Sequence, residues 1–113
     1  MGSLLSLTPA VFHILLALAE GQRHGYAILK DVERQTDGAV RMGPGTLYGT
    51  LQRLMEQGFV EEAAGPARAV DERRRYYQLS KAGRAALKVE VERMETLVRT
   101  ARARRVSPRP SRG

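Results

Sequence analysis

Cysteine is absent from this chain of 113 residues, which excludes disulfide bonds and thiolate metal sites. The two histidines, His13 and His24, stand alone and do not form a metal site. No apolar run approaches the ~18 residues that a membrane span requires. The stretch from Ile14 to Ala19 is a poor signal peptide, because residues 1–8 carry no positive charge and no cleavage pattern follows. We therefore expect a cytoplasmic protein with no metal, cofactor or membrane partner.

Acidic residues are absent after Glu95, and this absence accounts for most of the net charge of +7. Six arginines follow Glu95, whereas residues 1–98 carry 13 basic and 12 acidic side chains. The high isoelectric point therefore reports a basic tail and not a basic domain. Such a tail can be a nonspecific DNA-binding arm, a contact with anionic membranes or a solubilising appendage. It has no interleaved apolar residues, so it is a poor membrane anchor.

The hydrophobic pattern predicts four helices in one small domain, since a chain of this length has no room for a second core. Their predicted bounds are residues 8–21, 24–35, 43–58 and 80–102. Thr8 followed by Pro9 is a typical helix start, and Gly58 is a typical C-terminal cap. The first helix is apolar on almost all sides, which indicates that a partner subunit helps to cover it.

Two segments rich in β-formers, residues 59–63 and 75–79, predict a hairpin between the third and fourth helices. A helix that leads directly into a hairpin with a basic tip is typical of a winged helix-turn-helix, a fold used mainly to bind duplex DNA. We therefore predict a mostly α fold with a small β-hairpin. Its parts are a winged helix-turn-helix DNA-binding domain in residues 4–79, a dimerisation helix in residues 80–102 and a disordered basic tail in residues 103–113.

The third predicted helix carries leucines at positions 47, 51 and 54, which define its buried side. The residues that then face outward or lie on the flanks, and that we expect to contact DNA, are Gly45, Thr46, Tyr48, Gly49, Gln52 and Arg53. A glycine inside a helix costs about 1 kcal/mol relative to alanine, so Gly49 indicates a close approach either to a DNA groove or to another helix. Gln52 can read an adenine edge, and Thr46 can contact a thymine methyl group or a phosphate.

Tyr26 and Tyr48 lie in the first turns of their predicted helices, where a hydroxyl can hold a phosphate beside the backbone N–H groups. The alternative for both is packing with the hydroxyl at the rim. The run Arg73-Arg74-Arg75 is either a solvated hairpin tip or part of the DNA contact. Strand alternation predicts Arg75 on the core side and Arg74 outward, where it can reach a minor groove or its phosphates together with Arg73.

The fourth predicted helix has the sharpest periodicity in the chain, with apolar residues at spacings of 4, 3, 4 and 3. The residues of this coiled-coil-like seam are Leu87, Val91, Met94, Val98 and Ala101. The seam can pack against the domain's own helices, but so long a helix would extend past so small a body. We therefore expect it to form a homodimer. No arrangement of residues suitable for catalysis is present, so we do not expect an enzyme.

Several short segments together resemble a known family over residues 4–100. They are Leu7-Thr8-Pro9, His24-Gly25-Tyr26, Pro44-Gly45-Thr46-Leu47-Tyr48, Leu51, Arg53-Leu54, Gly58, Arg74-Arg75-Tyr76-Tyr77 and Leu79-Ser80-Lys81-Ala82-Gly83. The combination resembles the PadR-type transcriptional regulators, and the single C-terminal helix resembles their smaller subfamily. The resemblance implies a dimeric winged-helix repressor, with the helix that carries Tyr48 in the major groove and the last helix at the dimer interface.

The resemblance also implies a small-molecule inducer, whose identity stays open. Some members of the subfamily bind planar drugs between the subunits with an aromatic residue of the last helix, but this chain has no aromatic residue after Tyr77. We expect a homodimeric transcriptional regulator, a repressor, on double-stranded DNA with half-sites about one helical turn apart. The alternative is a winged helix that contacts proteins and does not bind DNA.

Overall fold

The computed structural model describes residues 7–66 and 74–106 of the chain. The elements in these residues are α1 (Pro9–Ala17), β1 (Arg23–His24), α2 (Gly25–Gln35), α3 (Pro44–Glu56), β2 (Val60–Ala63), β3 (Tyr76–Leu79) and α4 (Lys81–Ala103). The predicted fold class, mostly α with a small β component, is confirmed. Most of the predicted wing, most of the predicted tail and the start of the predicted domain lie outside the described residues, at 67–73, 107–113 and 4–6.

Hydroxyl side chains cap two of the helices, as the sequence predicts. The Thr8 hydroxyl oxygen accepts the N–H of Val11 at 3.2 Å at the start of α1, and the Ser80 hydroxyl oxygen accepts that of Gly83 at 3.0 Å at the start of α4. Each cap satisfies one of the N–H groups that a helix leaves unpaired at its first turn. At the other end of α3, Gly58 has a φ of +86°, the left-handed conformation that favours glycine after a helix.

The first helix ends at Ala17 and not at Gly21, so its predicted end is wrong by four residues. At this end of the helix, arginine side chains donate hydrogen bonds to backbone carbonyl groups. Arg23 donates its Nε–H to the carbonyl oxygen of Ala17 at 2.7 Å, and Arg84 donates from Nη2 to that of Ala19 at 2.9 Å. Because these donors come from β1 and α4, no local pattern could place the helix end.

The three strands form one antiparallel sheet in the order β1-β3-β2. The predicted hairpin pairs Val60 with Leu79 and Ala63 with Tyr76. β1 was not predicted, since it has only two residues and is identified by its pairing with Tyr76 and Tyr77 of β3. This short strand pairs the segment after α1 with the hairpin, and α2 begins directly after it.

The hydrophobic core lies between the helices and the inner face of the sheet. Its buried residues are Ile14, Leu15, Ala17 and Leu18 around α1, Ile28 and Val32 on α2, Leu47, Leu51 and Leu54 on α3, Val60 and Tyr77 in the sheet, and Leu87 on α4. The predicted inner side of α3 is therefore confirmed. In contrast, the predicted stripe of α2 is only partly buried, because Leu29 packs at the margin of the core.

The start of α4 is docked on the turn that follows α3. The Ser80 amide donates to the carbonyl oxygen of Phe59 at 3.1 Å, and the Ser80 hydroxyl donates to that of Gly58 at 2.5 Å. A methyl group on Gly83 would collide with the Phe59 carbonyl, whose carbon would be 2.9 Å away. Glycine at position 83 thus lets α4 lie directly against the end of α3.

In residues 7–66 and 74–106, no helix has both the length and the apolar character to cross a membrane. The same residues contain no group of three or more His, Asp and Glu side chains that could hold a metal ion. His13 has a structural contact of its own, because its Nδ1 lies 2.6 Å from Oε1 of Gln35 and links α1 to α2.

Candidate nucleic-acid interface

The outer face of α3 is exposed along its length. All six residues that the sequence predicted for this face are solvent-exposed, namely Gly45, Thr46, Tyr48, Gly49, Gln52 and Arg53. The opposite side holds the three buried leucines and Thr50, whose hydroxyl donates to the carbonyl oxygen of Thr46 at 2.8 Å. The structure therefore presents the predicted residues together on one accessible surface, which we call the α3 face.

The two glycines of the α3 face have no neighbour that requires them. A methyl group on Gly45 would meet nothing within 4 Å outside its own stretch of helix, and one on Gly49 would meet only Nη1 of Arg53, at 4.0 Å. Neither glycine has a positive φ. Among the described residues, then, no helix packs against Gly49, and the intramolecular alternative for this glycine loses its support.

The polar side chains of the α3 face make only weak contacts with the protein. Gln52 donates from Nε2 to a carboxylate oxygen of Glu56 at 3.4 Å, and Arg53 donates from Nη2 to the Thr50 hydroxyl at 3.3 Å. Both distances are longer than the usual range for such hydrogen bonds. These side chains can therefore exchange their present partners for groups of a ligand at little cost.

The N-terminus of α2 lies beside the wing strand. The His24 side chain caps this helix, since Nδ1 accepts the N–H of Ala27 at 3.2 Å. Tyr26 follows with 61% of its surface exposed, and the Lys30 ammonium lies 5.8 Å from the centre of its ring. Tyr26 thus stays at the surface, and packing in the core does not describe it.

Arg74 connects the base of the wing to this helix end. Its Nη1 lies 2.9 Å from Nε2 of His24, and Tyr76 packs edge-on against the His24 ring at 5.5 Å between centroids. A neutral imidazole has one acceptor nitrogen, so His24 can accept from Ala27 or from Arg74 but not from both at once. Burial, and then the Arg74 charge, lower the pKa of His24 below its usual value of 6.5.

Other wing residues differ from their predicted positions or cannot be placed. Arg73 lies outside the described residues. Arg75 was predicted on the core side, but its side chain is 69% exposed and lies 4.0 Å from a carboxylate oxygen of Glu62. The prediction is wrong because β3 begins at Tyr76, so the alternation of the strand does not extend back to Arg75.

The predicted seam of α4 divides into a buried and an exposed part. Leu87 belongs to the core of its own protomer and is only 6% exposed, so it offers little surface to a partner. Met94 and Ala101 are half-buried. Val91 and Val98 are 36% and 46% exposed, and Leu97 beside them is 53% exposed. Val89 is 42% exposed as well, so the apolar surface of α4 extends from the middle of the helix to its second half.

Glu90 is a buried carboxylate on α4, and no sequence pattern singles it out. It is 1% exposed and forms a two-point ion pair with Arg93 one turn later, with 3.1 Å between Arg93 Nε and Glu90 Oε1. The hydrogen bonds from Arg93 hold the pKa of Glu90 below its usual value, against the opposing effect of burial. The pair lets a charged residue lie where the helix meets the core.

Comparison with known proteins identifies the family of this fold and surface. The model of the transcriptional regulator PadR-like family matches residues 14–89. The chain belongs to the PadR-like family. It is therefore a transcriptional regulator and not an enzyme, and the resemblance seen in the sequence motifs is confirmed.

Individual relatives agree with this assignment. The transcriptional regulator Rv3488 of Mycobacterium tuberculosis is 39% identical over 88 residues, which cover 77% of each chain. An uncharacterised 37.1 kDa protein in transposon TN4556 of Streptomyces fradiae is 43% identical over 86 residues. Those residues are 74% of this chain but only 22% of the transposon protein.

A solved structure shows the same fold in a DNA complex. Bacillus subtilis PadR in complex with operator DNA superposes with a TM-score of 0.58 at 20% identity. The match covers 71% of this chain and 45% of that protein. The winged-helix fold is therefore common to both.

The site also contains residues that the sequence did not predict. His24 lies between the N–H of Ala27 in α2 and Arg74 of the wing, and Gly25 lies buried directly beneath Tyr48. The position of His24 immediately before a helix start could have identified it, because a histidine ring can cap a helix. No sequence signal identifies Gly25, since its contact depends on how α2 and α3 cross.

Proposed function

We propose that this PadR-like regulator is a sequence-specific DNA-binding repressor that acts as a homodimer on a pseudo-palindromic operator. The observation that carries the proposal is the α3 face. A methyl group on either of its two glycines would meet no described atom closer than 4.0 Å outside its own stretch of helix, and its polar side chains are held only loosely. Such a face is adapted to a partner outside the chain.

A DNA major groove fits this surface. The groove is about 12 Å wide and admits an α-helix, whose diameter with side chains is about 10–12 Å. Glycine at positions 45 and 49 would let the α3 backbone approach the groove wall more closely than a larger residue. Gln52 and Arg53 would then reach base edges, with Gln52 suited to adenine and Arg53 to guanine. Thr46 would contact a thymine methyl group or a phosphate.

The exposed polar groups around α3 are suited to the DNA backbone. Tyr26 lies at the N-terminus of α2, where backbone N–H groups and the helix dipole favour an anion. Tyr48 and Arg74 flank the α3 face from the recognition helix and the wing. Contacts with phosphate fix orientation and carry no base information, so these three residues would supply affinity common to all sequences.

The exposed apolar residues of α4 support the homodimer. Val91, Leu97 and Val98 expose apolar surface there, and Leu16 of α1 remains 38% exposed. Two copies related by a two-fold axis would read two half-sites about 34 Å apart, which is one helical turn of DNA. Repression is supported by membership of the PadR-like family, and action on the chromosome would place the protein in the cytoplasm.

The direct test is a binding titration with a fragment from upstream of the protein's own gene. We expect a retarded complex whose affinity falls as salt rises, because phosphate contacts release counterions. An unrelated fragment of equal length and base composition is the control. Equal affinity for both fragments would remove sequence specificity, and no binding to either would favour the winged helix that contacts proteins.

Two substitutions separate base reading from backbone contact. Gln52→Ala should relax preference at one base pair per half-site, at ~1–3 kcal/mol, whereas Tyr48→Phe should weaken all sequences about equally. Gln57→Ala is a matched control, because Gln57 is exposed at the far end of α3. If Gln52→Ala and Tyr48→Phe bind every DNA as the parent does, α3 is not in the groove.

A further inference from the structure

Gly25 and Tyr48 meet at the end of α2 that is farthest from its connection to α3. Gly25 is the first residue of α2 and is buried, whereas the α2–α3 connection leaves from Gln35 at the other end. The length of α2 separates the two ends by about 16 Å. The contact between Gly25 and Tyr48 therefore constrains the relative position of α2 and α3 at the end where the connecting turn constrains it least.

The reason for glycine at position 25 is space. A methyl group there would collide with the Tyr48 hydroxyl, and would lie 2.7 Å from its Cζ and 3.0 Å from its Cε1. Gly25 does not have a positive φ, so backbone conformation does not require it. Glycine is also the poorest helix former after proline. Its use at a helix start is therefore explained by the close approach of Tyr48.

Tyr48 is supported on its other side by the sheet. Its ring lies 6.5 Å from that of Tyr77, at an angle of 51° between the planes, and Tyr77 is 3% exposed. The Tyr48 ring is thus bounded by the backbone of α2 and by a buried residue of β3. The Tyr48 side chain therefore fixes the position of α3 relative to both α2 and the sheet.

We propose that Tyr48 is a positioning residue, whose ring against Gly25 sets the placement of α3 and thereby the discrimination between operator and other DNA. This rests on the proposed DNA binding. A binding geometry must be held to within about 0.5 Å to be productive. Loss of the ring, or a methyl group beneath it, would let α3 shift and would blur base reading while leaving backbone contacts available.

The test is a double-mutant cycle with Gly25→Ala and Tyr48→Leu, measured by thermal melting and by the ratio of operator to non-operator affinity. Leucine lacks the Cε, Cζ and hydroxyl atoms that approach Gly25. We expect each single variant to lower the affinity ratio about tenfold or more and Gly25→Ala also to lower Tm. In the Tyr48→Leu background, Gly25→Ala should change either quantity by little, less than about twofold for the ratio.

Tyr48→Phe is the conservative control, because it keeps the ring and loses only the hydroxyl. It should retain the affinity ratio of the parent to within about twofold, although it weakens binding to both DNAs. This outcome separates positioning from phosphate contact at the same residue. Gln57→Ala controls for folding, because Gln57 is exposed and lies outside the α3 face.

Three results would overturn the proposal. They are equal effects of Gly25→Ala in both backgrounds, a Tyr48→Leu protein with an unchanged affinity ratio, and a Gly25→Ala protein that is unfolded in both backgrounds. If Gly25→Ala folds only in the Tyr48→Leu background, this rescue of folding is by itself evidence for the contact between the two residues. If the parent binds no DNA, the proposed function fails, whereas the melting cycle still reports on the contact.

Discussion

Replacement of Gly49 by alanine should make the protein more stable and worse at binding DNA. Gly49 lies in the interior of α3, is exposed and has a negative φ, so alanine fits its backbone. Glycine is about 0.8–1 kcal/mol less favourable than alanine inside a helix. Outside its own stretch of helix, the nearest atom of the described residues to the added methyl group is the end of the flexible Arg53 side chain, at 4.0 Å. The full gain in stability is therefore expected.

The gain in stability corresponds to a rise in Tm of about 4–8 °C for a domain of this size. The expected loss of DNA affinity has the same origin, because the added methyl group points away from the protein. If the α3 backbone approaches a groove wall at Gly49, the methyl group overpacks that contact at a cost of ~1–3 kcal/mol. That cost is about 5- to 150-fold in Kd.

The assay pairs thermal melting with operator titration on the same preparation. Thr96→Ala is the control, because Thr96 is exposed on α4 away from the apolar seam, and alanine should raise Tm there without changing DNA affinity. An unchanged or lower Tm for Gly49→Ala would show that a contact inside the protein or its dimer requires the glycine. A raised Tm with unchanged affinity would show that the helix does not approach DNA at this position.

Three further predictions test other parts of the molecule. Val91→Asp should convert the proposed dimer to a folded monomer in sedimentation experiments, because Val91 is exposed on α4; a variant that sediments as a dimer would remove Val91 from the interface. The lowered pKa of His24 means that the unfolded chain binds its proton more readily than the folded protein, so stability that is present above about pH 6.5 should be lost as the pH falls below that value. His24→Asn keeps a capping acceptor and should flatten Tm between pH 7.5 and 5.5 (on the order of two pH units around the unperturbed pKa), and an unaltered pH dependence would contradict this account. Deletion of residues 107–113 removes two arginines and should reduce the salt slope of nonspecific binding by at most ~2 while operator preference survives; loss of that preference would show that the tail reads sequence.

Local pattern predicts the parts of this fold that local chemistry decides. The leucines of α3 repeat at helical spacing, and Thr8 and Ser80 satisfy N–H groups only three residues away, so both features are visible in the sequence. The exposure of the α3 face follows from the same repeat. Which of these exposed residues contact DNA stays a prediction.

Features that depend on distant partners could not be predicted. Carbonyl groups at the end of α1 accept hydrogen bonds from arginines of β1 and α4, and β1 is a strand only because β3 lies beside it. Leu87 shares the period of the α4 seam, but the position of the domain body decides that it is buried while Val91 is exposed. Gly25 likewise looks like a helix-start glycine until Tyr48 is placed above it.

The docking of α4 on the turn after α3 couples the positions of the two helices. Ser80 hydrogen-bonds to Gly58 and Phe59, and Gly83 packs on Phe59, so a rotation of the whole protomer moves α3 together with α4. A helix of 23 residues is about 35 Å long, and a tilt of about 5° moves one end by about 3 Å relative to the other. In the proposed dimer, a small change in the angle at which the two α4 helices cross would therefore move the α3 helices out of step with successive major grooves, without any deformation inside either protomer.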